Sequence, residues 1–398
     1  MSKTGKDSMN DYDVAVVGAG PVGSSFARQM AQKGFKVGLI ERKKEVGVPL
    51  QCAGLVGKKI MDTNILPEEF IVNKVYGAYL YSPSGTVLSV AKREPAAYVL
   101  DRVAYDKFLA EKAVEAGADL LLNHRVNGLD IENGEIHIKD HGKISADVIV
   151  GADGQGSFVS SQMNPPSKSV QAAQYLVDTG SSVFNSDYVQ LHVNSDISPG
   201  FIWVIPISES RARVGLFADT SYQNLNQILK NFISNDKQFE GASVVKKYQG
   251  FIPQYDPKKK IVQGRTILLG DAASQVKPTT GGGLIIGFKC ANMAADVVSK
   301  ALDEGDMKLL QDYPKNYMGE YKKELRMQLE VQKIFGAMTD EELDRMFMKL
   351  KKGGAESMIS EYGDMDTQST LIKEMLKSGL LLSILPGMIL KGLLNIWK

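Results

Sequence analysis

The sequence predicts a mixed α/β chain (α+β overall): a parallel-sheet unit interrupted by an inserted antiparallel sheet and followed by helices. Three observations predict it. Strand-like and helix-like runs alternate from Asp13 to Glu41, as in parallel β-α-β units. From Ala172 to about Ile252 short strand-like segments replace that alternation, which points to a largely antiparallel sheet. Beyond Met307 the chain reads as helical, without repeats or low-complexity runs.

Taken in order, Asp13 to Val17 is an apolar buried-strand run that ends in Gly18-Ala-Gly-Pro-Val-Gly23, a GxGxxG turn. Gly18 permits the tight turn, and Gly20 lets a pyrophosphate approach the backbone. Gly23 lets the next helix, expected over Ser24 to Gln32, pack on the sheet with its positive N-terminus at the phosphates. A second apolar run, Val37 to Ile40, precedes Glu41, spaced as the carboxylate that accepts the adenosine-ribose hydroxyls and repels a 2′-phosphate. Strand, helix and acid all fall where a Rossmann-like nucleotide-binding domain needs them.

A polar loop, Arg42 to Gln51, then leads to Cys52-Ala-Gly-Leu55. Tyr76 to Tyr98 looks extended, with a turn at Pro83-Ser-Gly85. Asp101 to Ala116 reads as a helix closed by Gly117, followed by a short strand at Leu120 to Leu122. Val126 to Ile138 alternates around Asn133-Gly134, a hairpin signal. Val148 to Val150 enters Gly151-Ala-Asp-Gly154. Strands are expected at Gln174 to Val177, Tyr188 to Val193, Phe201 to Ile205 and Ala212 to Ala218, with one helix at Leu225 to Ile233.

Near Ile261 the chain returns to the first unit. Thr266 to Leu269 is an apolar strand ending in Gly270-Asp271, followed by Pro278, Gly281-Gly282-Gly283 and a helix from Gly283 to Leu302. An NAD pocket can be complete with the first glycine signature alone; the pairing of two points to FAD. The expected division is a discontinuous FAD-binding domain (residues 11–75, 99–165 and 260–305), a strand-rich substrate domain (76–98 and 166–259) and a helical region (306–398).

Composition narrows the classes. At 398 residues the chain exceeds one ordinary domain, and 43% hydrophobic with 23% charged residues is globular composition. A net charge of +1 gives no reason to expect nucleic acid. Two cysteines, Cys52 and Cys290, make no disulfide framework, although a bridge between them stays open at this stage; a reducing cytoplasm is the expected compartment. Four histidines form no recognised ligand spacing, so no metal is expected. Met1 to Asn10 lacks the apolar stretch of a signal peptide.

GAGPVG with Glu41, Arg102 with Asp106, Gly151-Ala-Asp-Gly154 and Gly270-Asp271…Pro278 together resemble the para-hydroxybenzoate hydroxylase superfamily of flavoproteins. Within it, Pro49-Leu-Gln-Cys52, Pro199-Gly-Phe-Ile-Trp203-Val-Ile-Pro206 and GDAASQVKPTTGGG (270–283) resemble the archaeal geranylgeranyl or digeranylgeranylglycerophospholipid reductases. The resemblance implies saturation of isolated double bonds in geranylgeranyl chains of ether lipids by reduced FAD. An isolated alkene has no carbonyl to polarise it, so the protein must supply a proton donor and a dry elongated channel.

By that resemblance Gly18, Gly20, Val22, Gly23 and Glu41 contact FAD, and the backbone at Cys52, Ala53 and Leu55 runs beside the flavin or pyrophosphate. Arg102 reaches the pyrophosphate or ribityl region, unless it only makes a surface ion pair with Asp101 or Asp106. Val126 touches adenine, Asp271 bonds the ribityl chain unless it is a simple helix cap, and Gly283 and Leu284 offer amides to the isoalloxazine. Cys52 is the candidate catalytic residue, as proton donor or alkene guide, against the alternative of an inert small hydrophobe. Cys290 reads as core.

Phe201, Trp203 and Ile205 share one strand face, which would line the lipid cavity or pack on helices. Tyr175 and His192 are expected as packed residues on neighbouring strands. Gly379 to Lys398 is apolar but broken by Pro386, Gly387 and Lys391, suiting either peripheral contact with the inner membrane surface or a packed hairpin. With one GxGxxG unit, the electron donor is external: ferredoxin, a reduced deazaflavin or NAD(P)H. Two other classes stay open. FIWVIP approaches the halogenase WxWxIP signature with Phe201 in place of its first tryptophan, which keeps a flavin monooxygenase or halogenase in view. A non-catalytic FAD-containing lipid carrier is the other.

Overall fold

The computed structural model describes residues 10–50 and 52–384. β1 (Tyr12–Val17), α1 (Pro21–Gln32) and β2 (Val37–Ile40) form the opening β-α-β unit, and β3 (Leu55–Gly57), α2 (Ile60–Thr63) and β4 (Ile71–Val75) follow. The hairpin β5 (Gly77–Tyr81) and β6 (Val87–Ala91) leads to β7 (Ala97–Leu100) and α3 (Arg102–Glu115). Asp101 starts α3 by accepting the N–H groups of Val103 and Ala104, each at 3.1 Å. Next come β8 (Asp119–Leu121), β9 (Val126–Asp130), β10 (Glu135–Ile138), β11 (Gly142–Gly151) and α4 (Phe158–Ser161).

The inserted unit comprises β12 (Ser169–Asp178), β13 (Tyr188–His192), β14 (Ile202–Pro206), β15 (Arg211–Ala218), α5 (Tyr222–Asn235) and β16 (Ser243–Pro253). The chain returns through β17 (Val262–Gln263), β18 (Thr266–Leu268) and α6 (Leu284–Glu304). Then follow α7 (Asp312–Gly336), α8 (Asp340–Lys352), α9 (Ala355–Tyr362), α10 (Ser369–Lys377) and α11 (Leu380–Ile384).

The first sheet runs β17-β18-β11-β1-β2-β8, with β1 parallel to both β2 and β11, and β9 and β10 as an antiparallel annex. Its central strands are apolar on both faces, because helices cover both sides: Val14 to Val16, Leu39 and Val148 to Val150 are fully buried. The annex turn is Ile131 to Gly134, closed by Asp130, whose carboxylate accepts the N–H groups of Glu132 and Asn133. Gly134 sits at φ +75°, and a Cβ there would lie 2.1 Å from the Ala146 carbonyl, so glycine is required.

The second sheet runs β16-β12-β15-β14-β13-β5-β6. Parallel pairing of β5 with β13 brings the 77–91 hairpin into it. One face packs on α5 through Val177, Val204, Val214 and Leu216, and the other carries Val189, Trp203, Ile205 and Phe217. β3, β7 and β4 form a third, three-stranded sheet that sequence patterning does not separate.

One expectation is corrected. Tyr175 and His192 are not on neighbouring strands: β15 and β14 lie between β12 and β13, because β13 takes the parallel partner β5 instead. Both residues are packed, as expected. The Tyr175 hydroxyl bonds Asn226 Oδ1 at 2.6 Å, and His192 stacks on Tyr81 with centroids 4.3 Å apart. Burial lowers the His192 pKa to about 4, with Asp236 opposing.

The unfolded chain therefore binds a proton at His192 that the folded chain resists. Stability from this residue is complete above the ordinary histidine range and is lost as pH falls from about 6.5 towards 4, by roughly 3 kcal/mol. His192→Phe should flatten that part of the stability profile in urea titrations; an unchanged slope between pH 6 and 4 would contradict the assignment.

Candidate active site

The ends of β1, β2 and β11 converge on the glycine turn. Gly18 N–H donates to the Ile40 carbonyl at 2.7 Å, and Ala152 N–H to that of Val17 at 2.8 Å. Gly18 has φ +105°, and a Cβ on it would lie 2.4 Å from the Ala152 carbonyl oxygen. A Cβ on Gly23 would lie 2.0 Å from the Gly18 carbonyl oxygen, so this glycine seats α1 under the turn and does not itself line the cavity. At Gly20 a Cβ would meet nothing within 4 Å, because that backbone faces open space. Glu41 braces the turn, accepting Ala19 N–H at 3.1 Å and Lys43 N–H at 2.9 Å.

The second glycine segment meets the first at Val22. Gly270 has φ +60°, and a Cβ added there would be 3.3 Å from Val22 Cγ2; one on Gly287 would be 2.5 Å from the same atom. Two signatures far apart in sequence thus form one wall. Asp271 stands in the short turn after β18 and is not a cap: neither that turn nor α6 has a side-chain cap. Its carboxylate accepts no hydrogen bond among the described residues. Burial pushes its pKa up, and the nearby Arg102 pulls it down.

Arg102 pairs with Asp106, Nε to Oδ1 at 3.0 Å and Nη2 to Oδ2 at 3.1 Å, but the pair is largely buried and not the surface ion pair that was the alternative expectation. Burial is the largest influence and opposes its charge, but Asp106, Cys52 and Tyr105 together outweigh it and hold the guanidinium ionised. The same side chain also borders the cavity. Asp153 of the Gly151-Ala-Asp-Gly154 turn bonds the Ser157 hydroxyl and accepts Phe158 N–H at 2.7 Å, against a burial that raises its pKa.

One cavity of about 1380 Å³ connects these parts. Gly18, Gly20, Val22, Glu41 and Val126 line it. Cys52, Ala53, Leu55, Arg102, Asp271, Gly283 and Leu284 also line it, and Phe201, Trp203 and Ile205 border it from the second sheet. Trp203 is fixed by its indole N–H, which donates to Gln174 Oε1 at 3.1 Å. Cys52 is a free, partly buried thiol whose sulfur accepts Gly54 N–H at 3.3 Å; Cys290 is free and fully buried, so no bridge joins them.

Three features escaped sequence reasoning. The C-terminal helices line the cavity with Phe335, Phe347, Leu350, Ile359, Leu371 and Met375. The loop between α9 and α10 borders the cavity and is held by the buried pair Lys277 Nζ to Asp366 Oδ1, 2.7 Å, and by Lys59 Nζ to Asp364 Oδ2, 2.8 Å. Arg213 of β15 is buried and reaches the Cys52 loop. Lys277 lies in the glycine-rich segment and could have been singled out, whereas Asp366 and Arg213 carry no motif.

Residues 13–380 match the lycopene cyclase protein family. A digeranylgeranylglycerophospholipid reductase of Methanococcoides burtonii is 32% identical over 363 residues, 86% of this chain and 88% of its own. The chain belongs to the family of these reductases. A solved geranylgeranyl bacteriochlorophyll reductase-like protein from Thermoplasma acidophilum superposes with a TM-score of 0.85 at 26% identity, covering 97% of this chain and 99% of that one. A flavin-dependent brominase shares the fold at TM-score 0.68 and 16% identity, covering 88% and 92%. The relation between this reductase family and halogenases therefore lies in the fold. Among the described residues no acidic, histidine and cysteine cluster could hold a metal, and no helix is long and apolar enough to cross a membrane. Of the apolar stretch Gly379 to Lys398, residues 385–398 lie outside the described residues; Leu380 packs with Ala355 and Met375.

Proposed function

We propose that this protein is an FAD-dependent reductase that saturates isolated double bonds of geranylgeranyl chains in archaeal ether-lipid precursors. One observation carries the reading: a single cavity is lined both by the two glycine segments and by apolar side chains of the second sheet and the C-terminal helices. The residues fit FAD. Gly20 offers bare backbone to a pyrophosphate, Asp271 has unused acceptor capacity for ribityl hydroxyls, and Glu41 borders the cavity where a ribose would lie. In this reading the unit of residues 11–75, 99–165 and 260–305 holds FAD. The unit of 76–98 and 166–259 orients the lipid, and 306–398 covers it.

Bound and reduced, FAD supplies hydride. The chain's own work is orientation, dryness and a proton. Phe201, Trp203 and Ile205 fix the isoprenoid's approach, and the apolar lining excludes water. Cys52 Sγ is the proposed proton donor at the alkene. With one dinucleotide unit, electrons come from an external donor, ferredoxin, a reduced deazaflavin or NAD(P)H, and the lipid enters from a membrane that the protein contacts peripherally.

Incubating the dithionite-reduced protein with geranylgeranyl ether lipids should give mass gains in two-hydrogen steps. Oxygen incorporation would replace the reading with a monooxygenase, and an unchanged lipid with bound FAD would favour a carrier.

A further inference from the structure

Arg213 is a buried cation without a carboxylate. It is 8% exposed, makes no ion pair among the described residues, and gives two hydrogen bonds from Nη1, to the carbonyls of Ala53 at 2.7 Å and Leu100 at 3.1 Å. Burial lowers its pKa; Cys52, Tyr248 and Asp101 favour its charge and Arg102 opposes it. A lone guanidinium is costly to bury, so its hydrogen bonds must fix something.

What they fix is the loop that carries Cys52. Arg213 stands on β15 opposite Ile205, on the sheet face that also presents Trp203 and Phe217 to the cavity. From there it spans to the other unit, under Gly54. Gly54 has φ +80°, and a Cβ on it would sit 2.1 Å from Nη1, so the glycine leaves room for the guanidinium. Gly54 also bonds on both sides: its N–H donates to Cys52 Sγ and its carbonyl accepts Leu100 N–H at 2.9 Å. Carbonyls 53 and 100 converge on one nitrogen, which locks the 52–55 turn to the end of β7.

We propose that Arg213 is a positioning residue that sets the Cys52 thiol against the cavity from the strand paired with the one that orients the lipid. The inference rests on the reductase reading only for its effect on turnover. Lysine cannot reproduce a guanidinium's fixed fork, so Arg213→Lys tests geometry while keeping charge.

The test uses full-length protein. Cys290 is fully buried, so iodoacetamide under native conditions reads Cys52. In FAD-free protein, Arg213→Lys should change the Cys52 alkylation rate by about tenfold, and Gly54→Ala should change it in the same direction. Arg213→Met is a second variant, and thermal melting confirms that each is folded. Alkylation of Arg213→Lys at the wild-type rate overturns the proposal whether or not the lipid is reduced. In turnover, Arg213→Lys should lower kcat about tenfold with KM little changed, and should cost nothing further in a Cys52→Ala background. Additive losses there would mean general structural damage and would overturn it too. Wild-type protein that alkylates as expected but leaves lipid unreduced would refute the reductase reading and leave the positioning of Cys52 standing.

Discussion

Asp271→Ala is expected to leave gel filtration with under about a tenth of its FAD, while Cys52→Ala stays yellow. Charge-assisted hydrogen bonds are worth about 1.5–3 kcal/mol, or roughly ten- to hundredfold in affinity. The Asp271 carboxylate has no hydrogen-bond partner among the described residues, so its acceptor capacity is free for a ligand's hydroxyls. Cys52 Sγ is already engaged by Gly54 N–H and adds only a small side chain to the wall. Burial raises the Asp271 carboxyl, which means that its charge weakens the ligand-free fold above the ordinary carboxylate range, with the loss growing as pH rises towards the raised value. Asp271→Asn should therefore melt no lower than wild type without FAD at neutral pH, yet hold FAD less tightly. Retained flavin absorbance after desalting and apoprotein melting measure the two effects. If both variants lose flavin equally, or Asp271→Asn destabilises the apoprotein, the assigned role fails.

That opposition between stability and binding explains which parts of the site were readable from sequence. Gly18, Gly20, Gly23, Glu41 and Asp271 obey rules of backbone geometry and charge that act over a few residues, and each stands in a short motif beside its strand. The face shared by Phe201, Trp203 and Ile205 follows from strand periodicity alone. Sheet order was less readable. His192 and Tyr175 are separated by a hairpin because β13 pairs with β5, which comes from more than a hundred residues upstream. No local pattern encodes that partner. Arg213 was hidden in the same way, since a single arginine in a strand has meaning only once residues 53 and 100 are brought to it. The C-terminal helices showed their periodicity but not their target. Their apolar faces cover the cavity from residues 335 to 375, and only the assembled fold says what an amphipathic helix covers.

The same long-range logic makes Lys277→Met the substitution expected to cost most in stability. The Lys277 and Asp366 side chains are 6% and 9% exposed, and Lys277 also donates to the Met365 carbonyl at 2.7 Å. Truncating one partner of a buried pair leaves an unanswered charge, at a cost of about 3–5 kcal/mol. Asp366 has little room to turn away, because a Cβ on Gly57 would already lie 2.1 Å from its Oδ2. The loss should be local first. Residues 364–369 are held on polar contacts, Lys59 to Asp364 and Glu324 to the N–H groups of Gln368 and Ser369, so hydrogen exchange should quicken there before the core sheets respond. Replacing both charges, Lys277→Met with Asp366→Leu, removes the orphan and should recover most of the loss in urea titrations. A single variant as stable as wild type would show that the pair is solvated. A double variant no better than the single would place the cost in the Met365 carbonyl and the packing around it, since those are what the second substitution leaves unrepaired.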